Sequence, residues 1–235
     1  MLPRLRDYER IVFFTGAGMS AESGVPTYRG RGGVWREYDY EEYACQSAFE
    51  LNPERVWEFH NYRRELIARC APNAGHVAIA RLQAQRPEVS VVTQNIDGLH
   101  QQAGGERVHE LHGSIWKLRC DHCRYRGESR ETPLSDLRCP GCGLFKRPDI
   151  VWFGDMLFTH VLQAVERALS SCQVLVSIGT SAVVYPAADM PHIAKRAGAT
   201  LIEINPEETP LSWLYDHRCR TTASAALAEL CEGLA

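Results

Sequence analysis

The sequence lacks a long hydrophobic run. Its first apolar stretch, IVFF at residues 11–14, is far too short for a membrane span or a secretion-signal core, and residues 1–10 are polar and charged. The expectation is a cytoplasmic chain with no membrane partner and reduced thiols. An excess of one charge is also missing. The 26 Lys and Arg stand against 29 Asp and Glu, a formal −3, which argues against a specific nucleic-acid surface. There is no internal repeat, low-complexity segment or long linker, so residues 1–235 are expected to form one large domain or one domain with an insertion. The nine cysteines are an odd number, two CxxC pairs and five singletons, and read as metal-binding or inert thiols.

What is present is an alternation of strands and helices. IVFF (11–14), VSVVTQNID (89–97), VLVSIGTS (174–181) and ATLIEINP (199–206) read as buried strands. Residues 76–86, 161–172 and 188–198 read as helices, the last stopped by Gly198, and Ser20, Ala21 and Glu22 open another. The fold class is therefore α/β: a Rossmann-like parallel sheet with helices on both faces. Four strands end in small or polar residues (TGAG, TQNID, GTS and NP), and in such sheets strand ends converge on a ligand. The Rossmann-like part is expected to comprise 1–29, 76–118 and 146–235. A smaller module would combine a helical insertion, 30–75, with a cysteine-bearing ribbon, 119–145.

Cys120 and Cys123 form CDHC, and Cys139 and Cys142 form CPGC. Two CxxC turns at this separation suit tetrahedral thiolate coordination of one structural zinc. The alternatives are buried free thiols and a redox CxxC, which occurs singly at a helix start. Four thiolates leave no open coordination position, so this zinc performs no reaction.

Gly16-Ala17-Gly18-Met19-Ser20-Ala21 fits GxGxxA between a strand and a helix. Such a turn lets a pyrophosphate approach backbone N–H groups, although any strand–helix turn can carry glycines. A dehydrogenase would place an acidic strand end about 20 residues on. Here that interval is RGRGGVWREYDYEEY, which is no buried strand, so hydride transfer is unsupported.

GAGMSAESGVPTYRG, TQNIDGLH, LHG (111–113), the two CxxC pairs, VWFGDM and IGTS occur in this order. Together they closely resemble the sirtuins, NAD-dependent protein-lysine deacylases, over residues 10–225. The closest subgroup is class III, the desuccinylase and demalonylase type, with a bacterial character. The resemblance implies that NAD and an acylated-lysine protein enter a cleft between the two modules. The acyl oxygen attacks the nicotinamide ribose carbon, nicotinamide leaves, a histidine base activates a ribose hydroxyl, and water releases lysine and O-acyl-ADP-ribose. NAD is thus a consumed co-substrate. The alternative use of the same NAD site is protein mono-ADP-ribosyl transfer.

The resemblance assigns the base to His112, and imidazole titrates near neutral pH. Asn95 and Asp97 join it at the nicotinamide ribose and carboxamide. It assigns cofactor binding to Gly16, Ala17, Gly18, Ser20, Ala21, Glu22, Pro26, Tyr28, Arg29, Trp35, Gln94, Ile96, Gly179, Thr180, Ser181, Asn205, Pro206, Glu207 and Cys219, the last reading almost equally as a plain core cysteine. Many sirtuins carry Phe at the Tyr28 position. Val151, Trp152, Phe153 and Gly154 match the segment that pairs with the substrate backbone.

The class III subgroup holds an acidic acyl tail with Tyr-x-x-Arg. This chain has His60-Asn61-Tyr62-Arg63: the arginine is kept, and histidine replaces tyrosine. Ala44 suits a roomy pocket, whereas Tyr40 stands where the subgroup often has a small residue. Deacetylation with some activity on succinyl, malonyl or glutaryl lysine is expected, His60 donating to the carboxylate better when protonated.

Overall fold

β1 (Ile11–Thr15), β2 (Val89–Thr93), β7 (Val174–Ile178) and β8 (Thr200–Ile204) form the centre of one parallel sheet, seen in a computed structural model that describes residues 3–27 and 38–231. The short strands β3 (Val108–Glu110) and β9 (His217–Cys219) close its edges, in the order β3-β2-β1-β7-β8-β9. Strand order reverses between β1 and β7, which opens a crevice beyond their carboxyl ends.

Side chains alternate across the sheet with period two. Ile11, Phe13, Val89, Val91, Val174 and Val176 face one cluster, covered by α5 (Ala74–Gln85) and α9 (Ala223–Leu230). Val12, Phe14, Val92, Leu175 and Leu201 face the other, covered by α7 (Thr159–Ser171) and α8 (Met190–Arg196). Each such side chain contributes about 1.5–3 kcal/mol of burial free energy. This is the expected Rossmann-like layering. The expected helices are present within two or three residues of their predicted limits, and Gly198 ends α8 with φ +85.

Other borders moved. The predicted strand over 89–97 stops at Thr93, because Gln94, Asn95 and Ile96 turn into the crevice. The first helix, α1 (Ala17–Ala21), begins at Ala17 rather than Ser20, and a short α6 (Leu99–Gln102) follows the turn after β2. Within 30–75 the described part holds α2 (Tyr40–Tyr43), α3 (Gln46–Leu51) and α4 (Pro53–Ala68).

A second, antiparallel sheet runs β5-β4-β6, from β5 (Arg126–Glu128), β4 (Gly113–Arg119) and β6 (Arg147–Ile150). The division expected at 118 and 146 therefore falls inside this sheet: β4 and β6 pair with each other, apart from the parallel sheet. α4 is tied to this sheet and its loops by buried polar side chains. Arg64 donates to the carbonyls of Ile115, Ser129 and Glu131, and Trp57 donates to that of Lys146. The helical insertion and the cysteine ribbon are thus one packed body around Trp57, Trp116 and Trp152.

Candidate active site

The four strand ends converge. The loops after β1, β2, β7 and β8 line one cavity of about 700 Å³. Its far wall comes from Ala44, Phe59, His60 and Arg63 of the helical insertion and from the segment after β6, including Val151, Trp152, Phe153 and Gly154.

Gly16 and Gly18 are glycine for a reason the motif alone does not show. The turn after β1 packs backbone to backbone on the turn after β7. A Cβ on Gly18 would lie 2.6 Å from the Gly179 Cα, and one on Gly16 would lie 2.8 Å from the Gly179 carbonyl oxygen. Gly179 itself has φ +59, left-handed backbone that other residues resist. Gly16 N–H donates to Ile178 and Gly18 N–H to Gly179, both at 2.9 Å. Ala17, Ala21, Gly179, Thr180 and Ser181 also stand on the cavity wall.

Behind this loop lies a buried polar relay. Asn95 Nδ2 donates to Gly16 O at 3.0 Å and to Ser20 Oγ at 3.1 Å. Ser20 Oγ in turn donates to Asp97 Oδ2 at 2.7 Å, and Asp97 Oδ1 accepts Leu99 N–H at 2.9 Å. Burial raises the Asp97 pKa against these bonds. Gln94, Asn95 and Ile96 face the cavity, whereas Ser20 and Asp97 stand behind its wall.

His112 lines the cavity next to the 151–154 segment; its carbonyl accepts Val151 N–H at 2.9 Å. His112 Nδ1 lies 3.0 Å from Gln94 O. A carbonyl only accepts, so Nδ1 carries the ring proton and Nε2 is left as the bare, accepting nitrogen. Burial lowers the His112 pKa, partly opposed by the Gln94 bond.

At the other end, Asn205, Pro206 and Glu207 line the cavity, with Asn205 Nδ2 donating to Thr180 O at 2.9 Å. Cys219, expected here, sits in the hydrophobic core, paired in register with Ile204 and off the cavity wall. Pro26 is half-buried and also off the wall. Tyr28, Arg29 and Trp35 lie outside the described residues. Glu22 lines the cavity but accepts Ser224 N–H at 2.9 Å, capping the start of α9. Thr221, Thr222 and Ala223 join the wall through that contact. No motif signals these three residues, although Ala223, Ala226, Leu227 and Leu230 carry the apolar spacing of a helix.

The cysteines are gathered as expected. Cys120 and Cys142 sulfurs lie 3.5 Å apart, as do those of Cys123 and Cys139, and all four lie within 4.8 Å of one another. Tetrahedral zinc with Zn–S bonds of about 2.3 Å requires sulfurs about 3.8 Å apart. The donor set and its size fit one zinc ion. Among the described residues no helix is long and apolar enough to cross a membrane.

Comparison with known proteins agrees with this geometry. A model of the Sir2 family matches residues 16–186. An "NAD-dependent protein deacylase" of Aquifex aeolicus is 44% identical over 94% of this chain and 93% of its own. Another, from Mycolicibacterium paratuberculosis, is 46% identical over 96% of this chain and 98% of its own. A Sir2 homologue solved with NAD superposes with a TM-score of 0.90 at 41% identity, covering 96% of this chain and 89% of that one. A Sir2 protein solved with a deacetylated p53 peptide and 3′-O-acetyl ADP ribose gives 0.87 at 31% identity, covering 97% and 94%.

Proposed function

The chain belongs to the Sir2 family, and from that premise we propose that it is an NAD-dependent protein-lysine deacylase, which passes the acyl group of an acyl-lysine to ADP-ribose and releases nicotinamide. The observation that carries the residue assignment is the bond from His112 Nδ1–H to Gln94 O, which leaves the basic Nε2 at the junction of the strand-end loops and the 151–154 segment. When bound, NAD supplies the ribose carbon that takes up the acyl oxygen. His112 Nε2 is positioned to accept the proton of a ribose hydroxyl. Asn95 and Asp97, linked through Ser20, hold the shape of the nicotinamide end, and Thr180, Ser181, Asn205 and Glu207 line the adenosine end. The 151–154 segment receives the substrate backbone by strand addition.

Zinc, held by Cys120, Cys123, Cys139 and Cys142, has a structural role, since the four thiolates fill its coordination. We divide the chain into a Rossmann-like part and a small module that includes β4 and β6. We assign it to the cytoplasm as a monomer, acting on acylated proteins rather than nucleic acid, in keeping with its nearly balanced charge.

We extend the substrate range to acidic acyl groups. His60 and Arg63 stand three residues apart on one face of α4 and both line the cavity. A guanidinium there is a charge-assisted donor for a carboxylate. The test is a panel of acetyl, succinyl, malonyl and glutaryl versions of one peptide, incubated with NAD, with products read by mass spectrometry. O-acyl-ADP-ribose and free lysine are expected from acetyl and from acidic peptides, and Arg63→Met should lower turnover of the acidic ones. ADP-ribose fixed on the peptide would instead indicate mono-ADP-ribosyl transfer, which the deacylase names of the relatives do not favour.

A further inference from the structure

His60 stands where the resembling subgroup carries tyrosine, and it is hydrogen-bonded to Trp152. His60 is only 2% exposed, and its Nε2 lies 3.1 Å from Trp152 Nε1. An indole nitrogen only donates, so His60 Nε2 is the bare, accepting nitrogen. The single ring proton therefore sits on Nδ1. The rings lie nearly parallel, 15° apart with centroids at 5.7 Å, and the indole N–H donates to Nε2.

Trp152 is itself held in place. The Arg147 guanidinium lies 3.3 Å over its ring, the Phe49 ring is 5.4 Å away, and its backbone N–H donates to Asp155 at 3.2 Å. The buried His60 Nδ1 has no hydrogen-bond partner among the described residues. An imidazolium would set two N–H donors against each other across the Trp152 contact. The surrounding charges oppose it as well. Arg63 and Arg64 of α4 and Arg147 of β6 act on the ring, with Asp155 engaged by Arg147 at 2.9 Å. Burial first, and these cations second, push the His60 pKa down to about 3.

We infer that Trp152 fixes His60 as the neutral Nδ1–H tautomer, and that this N–H, beside Arg63, donates to the distal oxygen of an acidic acyl chain. The inference rests on the acidic-acyl reading above and assigns Trp152 as a positioning residue acting through His60. A buried donor without a partner is costly, and a carboxylate oxygen relieves it where an acetyl methyl does not. Because the donor is neutral, its service does not depend on acid. This reverses the expectation that His60 donates better when protonated.

Two experiments on the full chain test it. Long-range proton–nitrogen spectra of protein labelled with 15N-histidine, His60 being assigned by its loss in His60→Gln, should show a protonated Nδ1 and a bare Nε2, without titration from pH 8 to 5.5. In Trp152→Phe that single-tautomer signature should be lost. A protonated Nε2, or an imidazolium appearing near pH 6.5, would overturn the inference. The ratio of kcat/KM for succinyl over acetyl forms of one peptide should stay flat from pH 6 to 9. It should fall about tenfold or more in His60→Phe, the loss of one hydrogen bond to a charged group, and recover in His60→Gln, whose amide also donates. A ratio that rises as pH falls through 6.5 contradicts the neutral donor. A ratio lowered by Arg63→Met but untouched by His60→Phe sinks this inference alone. A ratio untouched by either sinks the acidic-acyl reading, and this inference with it.

Discussion

The carbonyl oxygen of Gln94 accepts the Nδ1 proton of His112 at 3.0 Å. This one bond sets which nitrogen is free for chemistry. Burial lowers the pKa of the ring below its ordinary 6.5, so the neutral, basic form persists to lower pH. The acidic limb of a kcat/KM profile on an acetyl peptide should have its midpoint below pH 6.5. A midpoint clearly above that value would mean that His112 is not the group that must be deprotonated.

The contact between the turns after β1 and β7 predicts a strong effect from a small change. Gly18→Ala places a methyl 2.6 Å from the Gly179 Cα, with backbone on both sides and no side chain able to move aside. Overpacking of this kind costs about 1–3 kcal/mol. Urea unfolding should show that loss, and calorimetry should show NAD affinity at least about tenfold weaker, the equivalent of about 1.4 kcal/mol. Wild-type stability in this variant would contradict the close approach.

Much of this arrangement was legible in the sequence. Buried apolar runs ending in TGAG, TQNID, GTS and NP placed the crevice, and two CxxC turns placed the metal ligands. The edge strands β3 and β9 were not legible, because VHE and HRC carry three residues each and no apolar alternation. Nor did spacing show that Glu22 would cap α9, a contact across 202 positions of the chain. For Cys219 the resemblance offered an adenine-side contact and the residue type a plain core cysteine; its side chain lies in the core, in register with Ile204.

Acid should unfold the protein through buried histidines. Burial holds the pKa of His76 at about 4 and that of His100 at about 3, with their rings 4.7 Å apart, and His60 lies at about 3. Their folded-state values lie below the unfolded value of about 6.5, so the unfolded chain binds more protons in acid. The stability they confer is complete above pH 6.5 and is lost as pH falls from there toward 4 and 3. Each contributes a slope of up to about 1.4 kcal/mol per pH unit. Urea midpoints should drop from pH 7.5 to pH 5, and His100→Gln should lose less over that interval than wild type. Equal losses would remove His100 from the account.

The zinc ligands should act on structure alone. The purified chain should carry one zinc, measured by release to a chromogenic chelator. Cys139→Ser should abolish that zinc, lower the melting temperature and abolish deacylation together, since the ribbon is packed against α4 through Arg64 and Trp57. Zinc-free protein that stays folded and fully active would contradict the assignment.

The central claim is that His112 is the base of an NAD-dependent deacylation. Mass spectrometry of an acetyl-lysine peptide incubated with NAD, comparing wild type with His112→Ala, tests it most directly. Wild type should yield deacetylated peptide, nicotinamide and O-acetyl-ADP-ribose in equal amounts. The variant, retaining its fold and bound zinc, should lose deacetylation by at least about 100-fold, the usual scale of general-base catalysis. Unchanged deacetylation in His112→Ala would contradict the account.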